Sequence, residues 1–504
     1  MKKILSVFLL LAVLCGLFAG CKAKKVANST TDIEIVYWEA GYGREYLDAV
    51  INEFNERQDT YNAILVSSAE IRNDEIHLNA DENSADLYIS SWVGFNGYLQ
   101  YLEPLDELLQ RKPDGENGKT IAEKIGAGFL DHNKSLDGHT YSLNGTPGSL
   151  TALMYNKNLF VDADGNPLEL PNTTNELIDL TIDLKSDGKI PWIQYRDYWY
   201  YIYEAWVAQY EGIDVYTKIW QGIYTDENGV EHENDVRIVT ESDGRLEAYR
   251  VVAELINPKG YVYTGSNNFT HTQAQTYFLN DKAVFMPNGT FMENEMKASS
   301  GTDHIGIMKQ PVISALAKKL GIKGDRHLSL IVDYVDGDTL SAADQAIVDS
   351  YSEDVIQRVR EARNFYYGCA PYNVMVPSYS NCKDGAFAFL EFYYSDEGMQ
   401  IAQEVLKTPL SLKYSVDPEL DKSTWSTYMQ EVDAIYENAN NFYHYLVKPL
   451  FYMNTMDHLH SVHPIEYMTY RNDGNTLSAT EYWKKEVAAW ETKWESVLMA
   501  AGLS

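Results

Sequence analysis

At 504 residues the chain is too long for one hydrophobic core, so two or more domains are expected. Its formal net charge of −32 excludes a protein that grips nucleic-acid backbone with a basic face. Its 38 Tyr and 10 Trp far outnumber its 16 Phe, which fits a Tyr-rich core or a surface that meets both apolar and wet partners.

The first residues read as an export signal. Lys2 and Lys3 precede an apolar run, Ile4–Phe18, that is too short to span a bilayer unaided. Leu17, Phe18, Ala19 and Gly20 before Cys21 resemble a bacterial lipobox. That resemblance implies that residues 1–20 are a signal peptide and that Cys21 is the lipid attachment point. A plain secretory signal with a chance Cys is the alternative. Residues 21–31 read as a flexible tether, with Lys22, Lys24 and Lys25 near anionic headgroups. Cys15 would leave with the signal. Cys369 and Cys382 remain, as a disulfide or as two unpaired thiols.

Next come alternating strand and helix patterns. Asp32–Trp38 (DIEIVYW) reads as a strand, followed by the loop EAGYG. Arg44–Arg57 reads as an amphipathic helix with Tyr46, Leu47, Val50, Ile51 and Phe54 on one face. Tyr61–Ser67 is a second strand, Glu70–Leu78 a helix and Asp86–Ser90 a third strand. Leu99–Leu109 runs through a Pro-interrupted loop into a helix. This alternation predicts a largely parallel sheet, whose ligands sit beyond the carboxyl ends of the strands. That rule points to Trp38, Glu39 and Tyr42 after the first strand, and to Ser91 and Trp92 after the third.

His139–Leu143 and Leu150–Tyr155 are two β-type runs separated by Asn144, Gly145, Pro147 and Gly148, a bend that two rigid bodies could share. Val161–Pro167 has the look of a calcium loop, but Thr173 stands where the distal Glu is needed, so it reads as a tight turn. Asp226–Gly229 and Asp333–Asp338 read the same way. Pro171–Leu184 is a Thr-capped helix. In Pro191–Tyr210 the residues Trp199, Tyr203, Trp206 and Tyr210 share one helix face, a core stripe. Trp192, Tyr195 and Tyr198 precede that stripe and are placed to stack on a ligand. Ser314–Leu320 and Ala342–Asn364 are helical in pattern, Ala370–Pro377 reads as a strand, and Ser423–Leu450 and Ala479–Leu498 as long helices. Trp483, Trp490 and Trp494 lie at core spacing. The sequence has no Gly-x-Gly-x-x-Gly, no phosphate-binding Gly-Lys-Ser/Thr loop and no Gly-x-Ser-x-Gly. Asp457, His458, His460 and His463 form a metal-like cluster that reads better as a surface loop near a helix end.

Several of these stretches together resemble the extracellular solute-binding proteins, the sugar-type receptors of ABC importers. They are the long helix ending Phe54-Asn55-Glu56, the run Tyr101-Leu102-Glu103-Pro104-Leu105, and Tyr155-Asn156-Lys157-Asn158-Leu159-Phe160. To these add Phe278–Met286 with the turn Asn288-Gly289-Thr290-Phe291, and the late helix Lys383–Glu404. In the Phe278–Met286 match Asn280-Asp281 stands where the family has Gly, and Phe291 where it usually has Trp.

The resemblance implies an α/β fold of the periplasmic-binding-protein type, two lobes with a hinge and an interlobe cleft. Lobe 1 would be 32–147 with 370–408, and lobe 2 would be 148–369 with 409–504, with 310–365 inserted and Thr408–Leu412 as the third crossing. It implies a carbohydrate ligand, with an oligosaccharide favoured by the aromatic content, and a permease partner. Trp38, Glu39, Tyr42, Trp92, Asn144, Tyr195, Trp199, Asn288 and Phe291 would line the site. Neither a cofactor nor a catalytic role is expected. The rival is a secreted glycoside hydrolase, with Glu39, Asp86 and Glu391 as the acids to test. A receptor for a peptide or a metal chelate keeps the same mechanism with other cargo.

Overall fold

In the computed structural model the described residues are 30–39, 41–68, 85–90, 99–126, 130, 134–135, 137–145, 148–220, 222–297, 301–368, 372–442 and 464–500. The signal, Cys21, the tether up to residue 29, the helix expected over 70–78, Trp92, Cys369 and the His cluster at 457–463 lie outside them. Among the described residues no helix is long and apolar enough to cross a membrane.

Among the described residues a five-stranded sheet and a three-stranded sheet, packed in separate cores, organise a two-lobed α/β fold, and β-pairs at 223–233 and 365–442 add two small sheets. Among the described residues twelve strands are formed: β1 Asp32–Trp38, β2 Asn62–Ser68, β3 Leu87–Ser90, β4 Leu143–Asn144, β5 Thr151–Asn156, β6 Ile223–Thr225, β7 Glu231–Glu233, β8 Phe285–Gly289, β9 Ile305–Met308, β10 Phe365–Tyr367, β11 Asn373–Met375 and β12 Asn440–Phe442. The first sheet has the order β2-β1-β3-β11-β4. β1 pairs parallel with β2 and β3, while β11 runs antiparallel between β3 and β4. The alternation in β1 explains its central place. Ile33, Ile35 and Tyr37 are buried on one face and Val36 on the other. The helix Glu45–Arg57 lays Tyr46, Leu47, Val50, Ile51 and Phe54 onto this sheet.

The second sheet, β8-β5-β9, is antiparallel throughout, which the strand–helix alternation did not foretell. The helix Trp199–Glu211 packs beside it and is buried nearly all round, from Trp199 and Ile202 through Gln209. A helix apolar on every side can only be an interior one, which accounts for the density of aromatic residues there.

Several elements differ from expectation. Ala342–Asn364 is two helices, Ala342–Val348 and Glu353–Arg363, because Ser352 caps the second by accepting from the Val355 N–H. Asp333–Asp336 is not a turn but the end of the helix Asp325–Asp336, closed by Gly337 in the left-handed conformation. These helices bury Leu328, Ile331, Val332 and Val359 in the same core as Trp206. Of the helix expected over 423–450, the described residues form Thr427–Tyr436, and β12 then pairs parallel with β10. The turns at 162–166 and 226–229 form as expected, each folded over its leading Asp, with Asp162 accepting from the Asp164 and Asn166 N–H groups.

Stretches that pass between the sheets lie side by side. Gly145 N–H donates to the Tyr372 carbonyl (3.1 Å) and Gly148 N–H to the Pro409 carbonyl (3.2 Å). Thr151 Oγ1 donates to the Tyr367 carbonyl. Although Thr408–Leu412 runs along this bundle, Leu410, Leu412 and Tyr414 still pack in the first core, and the chain joins the second only at Trp425. Cys382 is a buried thiol that donates to the Thr30 carbonyl at 3.2 Å.

Candidate ligand-binding site

The carboxyl end of β1 meets the second lobe. Tyr42, in the loop after β1, is buried and donates its hydroxyl to the Gly148 carbonyl at 3.3 Å. The Tyr37 hydroxyl donates to the Gly43 carbonyl (2.6 Å) and is bonded to the Tyr372 hydroxyl (2.8 Å), which shapes that loop. Half-buried Trp38 sets its ring edge-on to Tyr372, centroids 6.3 Å apart, and Glu39 is exposed beside it.

Opposite, the second lobe offers a run of rings. Tyr195 is half-buried and meets Tyr198 edge to face at 4.9 Å; Tyr198 meets Phe291 in the same way at 5.8 Å. Burial, reinforced by Asp197, pushes the Tyr195 phenol up to about 12, so it stays a neutral donor. Phe291 is almost buried and belongs to the core of the first lobe, although it follows β8 of the second. Gly289 makes room for it: a Cβ there would lie 2.0 Å from the Phe291 ring. Edge-to-face geometry leaves parts of such ring faces free for an apolar partner.

Other expected site residues have different surroundings. Trp199 is fully buried, tilted against Trp192 at 5.1 Å, and donates its indole N–H to Gln194 Oε1 at 2.7 Å. Its ring belongs to the core, and so does Trp192, packed on Phe285 at 5.0 Å; the core stripe, not the cleft, is the correct reading of Trp199. Asn288 is buried, with its side-chain oxygen accepting from the Gly289 N–H at 2.8 Å, so it shapes its own turn. Asn144, also buried, donates to Ser411 Oγ at 2.8 Å among the crossing stretches, and its side-chain oxygen has no partner there. Trp92 lies outside the described residues.

The acids proposed for hydrolysis are not brought together. Asp86 is buried at the start of β3, level with Glu34, and accepts from the Glu34 N–H (3.0 Å) and Ser380 Oγ (2.6 Å). Glu39 follows the end of β1, five residues after Glu34, roughly 16 Å at strand rise, beyond the spacing of about 5–10 Å that two hydrolytic carboxyls need. Glu391 is held by Arg111 at 3.2 Å.

Sequence reasoning passed over Glu295, Gln275 and His271. Glu295 lies four residues after Phe291 on the helix Met292–Met296, and helical spacing from that ring was the signal that could have found it.

An α/β lobe whose strand ends meet a second lobe, reached by several crossings, makes a two-lobed protein with its junction at these residues. Residues 40–400 match the bacterial extracellular solute-binding protein family, and the chain belongs to that family. It is similar to the diacetylchitobiose binding protein NgcE of Streptomyces coelicolor, 25% identical over 295 residues, which are 56% of this chain and 59% of that protein's length. Its fold is similar to a structure from work on xylan utilization by the thermophilic bacterium Caldanaerobius polysaccharolyticus (16% identity, TM-score 0.58, 91% of this chain and 99% of that one). It is also similar to a chitin oligosaccharide binding protein (14% identity, TM-score 0.57, 92% and 99%).

Proposed function

We propose that this protein is the extracytoplasmic receptor of an ABC importer, that it binds an oligosaccharide by closing its lobes, and that it is held at the membrane by lipid on Cys21. The observation that carries the reading is the ring run Tyr195–Tyr198–Phe291, whose Tyr198 and Phe291 share a cluster with Trp38 and Tyr42 of the first lobe. Rings cover the apolar faces of a pyranose, while buried polar groups bond its hydroxyls. Closure removes both from water, so the ligand shifts the open–closed equilibrium by its extra affinity for the closed form. The names of the similar proteins, which bind diacetylchitobiose and chitin oligosaccharide, make those the first sugars to try. In this reading lobe 1 is 32–147 with 370–408 and lobe 2 is 148–369 with 409–504, except that the third crossing moves into 415–425, because Leu410, Leu412 and Tyr414 pack with lobe 1.

The test uses the chain from Lys22 onward in thermal melts against a panel of chito-, xylo- and cello-oligosaccharides. A ligand at a hundred times its Kd stabilises by about 2.7 kcal/mol, and small-angle scattering of the complex contracts. If no member of the panel raises the melting temperature, the carbohydrate assignment fails. The intact mass of membrane-extracted protein tests the anchor: it should equal the chain from Cys21 plus a diacylglyceryl group.

A further inference from the structure

Glu295 and Phe291 rise from one helix face, with the Glu295 N–H donating to the Phe291 carbonyl at 3.0 Å. Gln275 Nε2 donates to Glu295 Oε2 at 2.5 Å. His271 lies one turn before Gln275 on the helix His271–Leu279, and its ring is 6.0 Å from Tyr195. Tyr195, Tyr198, Phe291, Glu295, Gln275 and His271 therefore close a circuit, half aromatic and half polar. The first lobe touches this circuit at Gly41. A Cβ there would lie 2.6 Å from Glu295 Cγ and 3.0 Å from Oε1, so any side chain at that position would hold the lobes apart or displace Glu295.

The polar half is incompletely satisfied. Among the described residues Glu295 makes no ion pair, and burial pushes its carboxyl above the ordinary range, opposed by Gln275 and His271. Gln275 is fully buried, and its Oε1 has no hydrogen-bond partner; buried Nδ2 of the neighbouring Asn294 also has none. Buried donors and acceptors are nearly always paired, and leaving them unpaired is costly. A purely structural Glu295–Gln275 bond would account for neither the unpaired atoms nor the close approach of Gly41 to the Glu295 side chain.

We infer that this circuit is the subsite that reads one sugar ring, with Glu295 as the specificity-determining carboxylate that takes its hydroxyl or amide N–H donors and Gly41 as the lobe 1 contact that closes over it. The inference rests on the carbohydrate reading above. The rings take the apolar face of the pyranose, Glu295 and Gln275 Oε1 accept from its edge, and Asn294 Nδ2 donates to it.

Calorimetric titration of the chain from Lys22, of Glu295→Gln and of Glu295→Asp, against a chito-oligosaccharide and its cello-oligosaccharide counterpart, tests this and separates amide from hydroxyl donors. Glu295→Gln should weaken the preferred sugar by about tenfold or more, the scale of a charge-assisted hydrogen bond. It should alter the ratio between the two sugars while leaving the melting temperature of the ligand-free protein unchanged. Glu295→Asp should fall between. Gly41→Leu should abolish the ligand-induced contraction in small-angle scattering. Binding of Glu295→Gln within about twofold of the parent chain would overturn this inference and leave the receptor reading standing, as would a loss of affinity explained by an equal loss of stability. If the parent chain binds no sugar, the receptor reading falls and this inference falls with it.

Discussion

Replacing Arg245 by Met should be among the most damaging single changes in the second lobe. Arg245, on the helix Asp243–Ile256, lies between two buried carboxyls: Glu204 on Trp199–Glu211 and Glu486 on Ala479–Ala500. Its Nη1 donates to Glu204 Oε1 at 2.5 Å and its Nη2 to Oε2 at 3.4 Å, while the Tyr216 hydroxyl donates to Oε2 at 2.7 Å. Met fills the volume of the Arg stem, so the change isolates the charge. Removing one partner of a buried pair costs about 3–5 kcal/mol, since the remaining charge stays out of water. At roughly 2–4 °C per kcal/mol, a thermal melt followed by circular dichroism should show the midpoint fall by roughly 6–20 °C. Adding Glu204→Gln should restore part of the loss, a coupling of about 0.5–3 kcal/mol. A cost below about 1 kcal/mol, the range of an exposed pair, would refute the reasoning.

Three further changes follow from the same packing. Burial holds the Glu486 carboxyl above the ordinary range against the opposing pull of Arg245, Tyr249 and Trp490. The folded chain therefore binds this proton more tightly than the unfolded one. The stability it confers is full below the ordinary Glu value of about 4.3 and is lost as pH climbs through the raised one. Glu486→Gln should raise the melting temperature at about pH 8 and leave it unchanged near pH 4, and parallel melting curves across that range would count against the argument. Trp199→Ala should cost about 3–5 kcal/mol in a denaturation experiment, the price of emptying a core site, while sugar affinity of the folded protein stays the same; a selective loss of affinity would return Trp199 to the cleft. At Gly148 a Cβ would lie 2.4 Å from the Tyr436 hydroxyl oxygen and 2.9 Å from the Ser411 backbone nitrogen. Gly148→Ala should therefore destabilise by about 1–3 kcal/mol and alter ligand-induced contraction in scattering, and an unchanged melt would show that the crossing has slack.

Much of the first sheet could be read from local pattern. In β1 the two-residue period of Ile33, Ile35 and Tyr37, and in the next helix the spacing of Tyr46, Leu47, Val50 and Phe54, are local records of which face is buried. Tyr42 was singled out by its place after the first strand and Phe291 by the family resemblance, and the structure buries both near the meeting of the two lobes. Trp199 was legible as part of a core stripe with Tyr203, Trp206 and Tyr210, but the burial of the other faces of its helix was not. Periodicity ranks the faces of a helix only when one of them meets water, and Trp199–Glu211 is enclosed on all sides.

The amino-acid order by itself determined many of the local elements, such as β1, the helix after it and the Thr-capped helix near 171–184, because those depend on residues within a few positions of one another. The tertiary structure alone decided the antiparallel pairing of β5 with β8 and β9, the depth of Trp192 and Trp199, and the meeting of Glu295 with Gly41. Such contacts join segments far apart along the chain, and their energies come from burial and pairing that no local window of sequence contains.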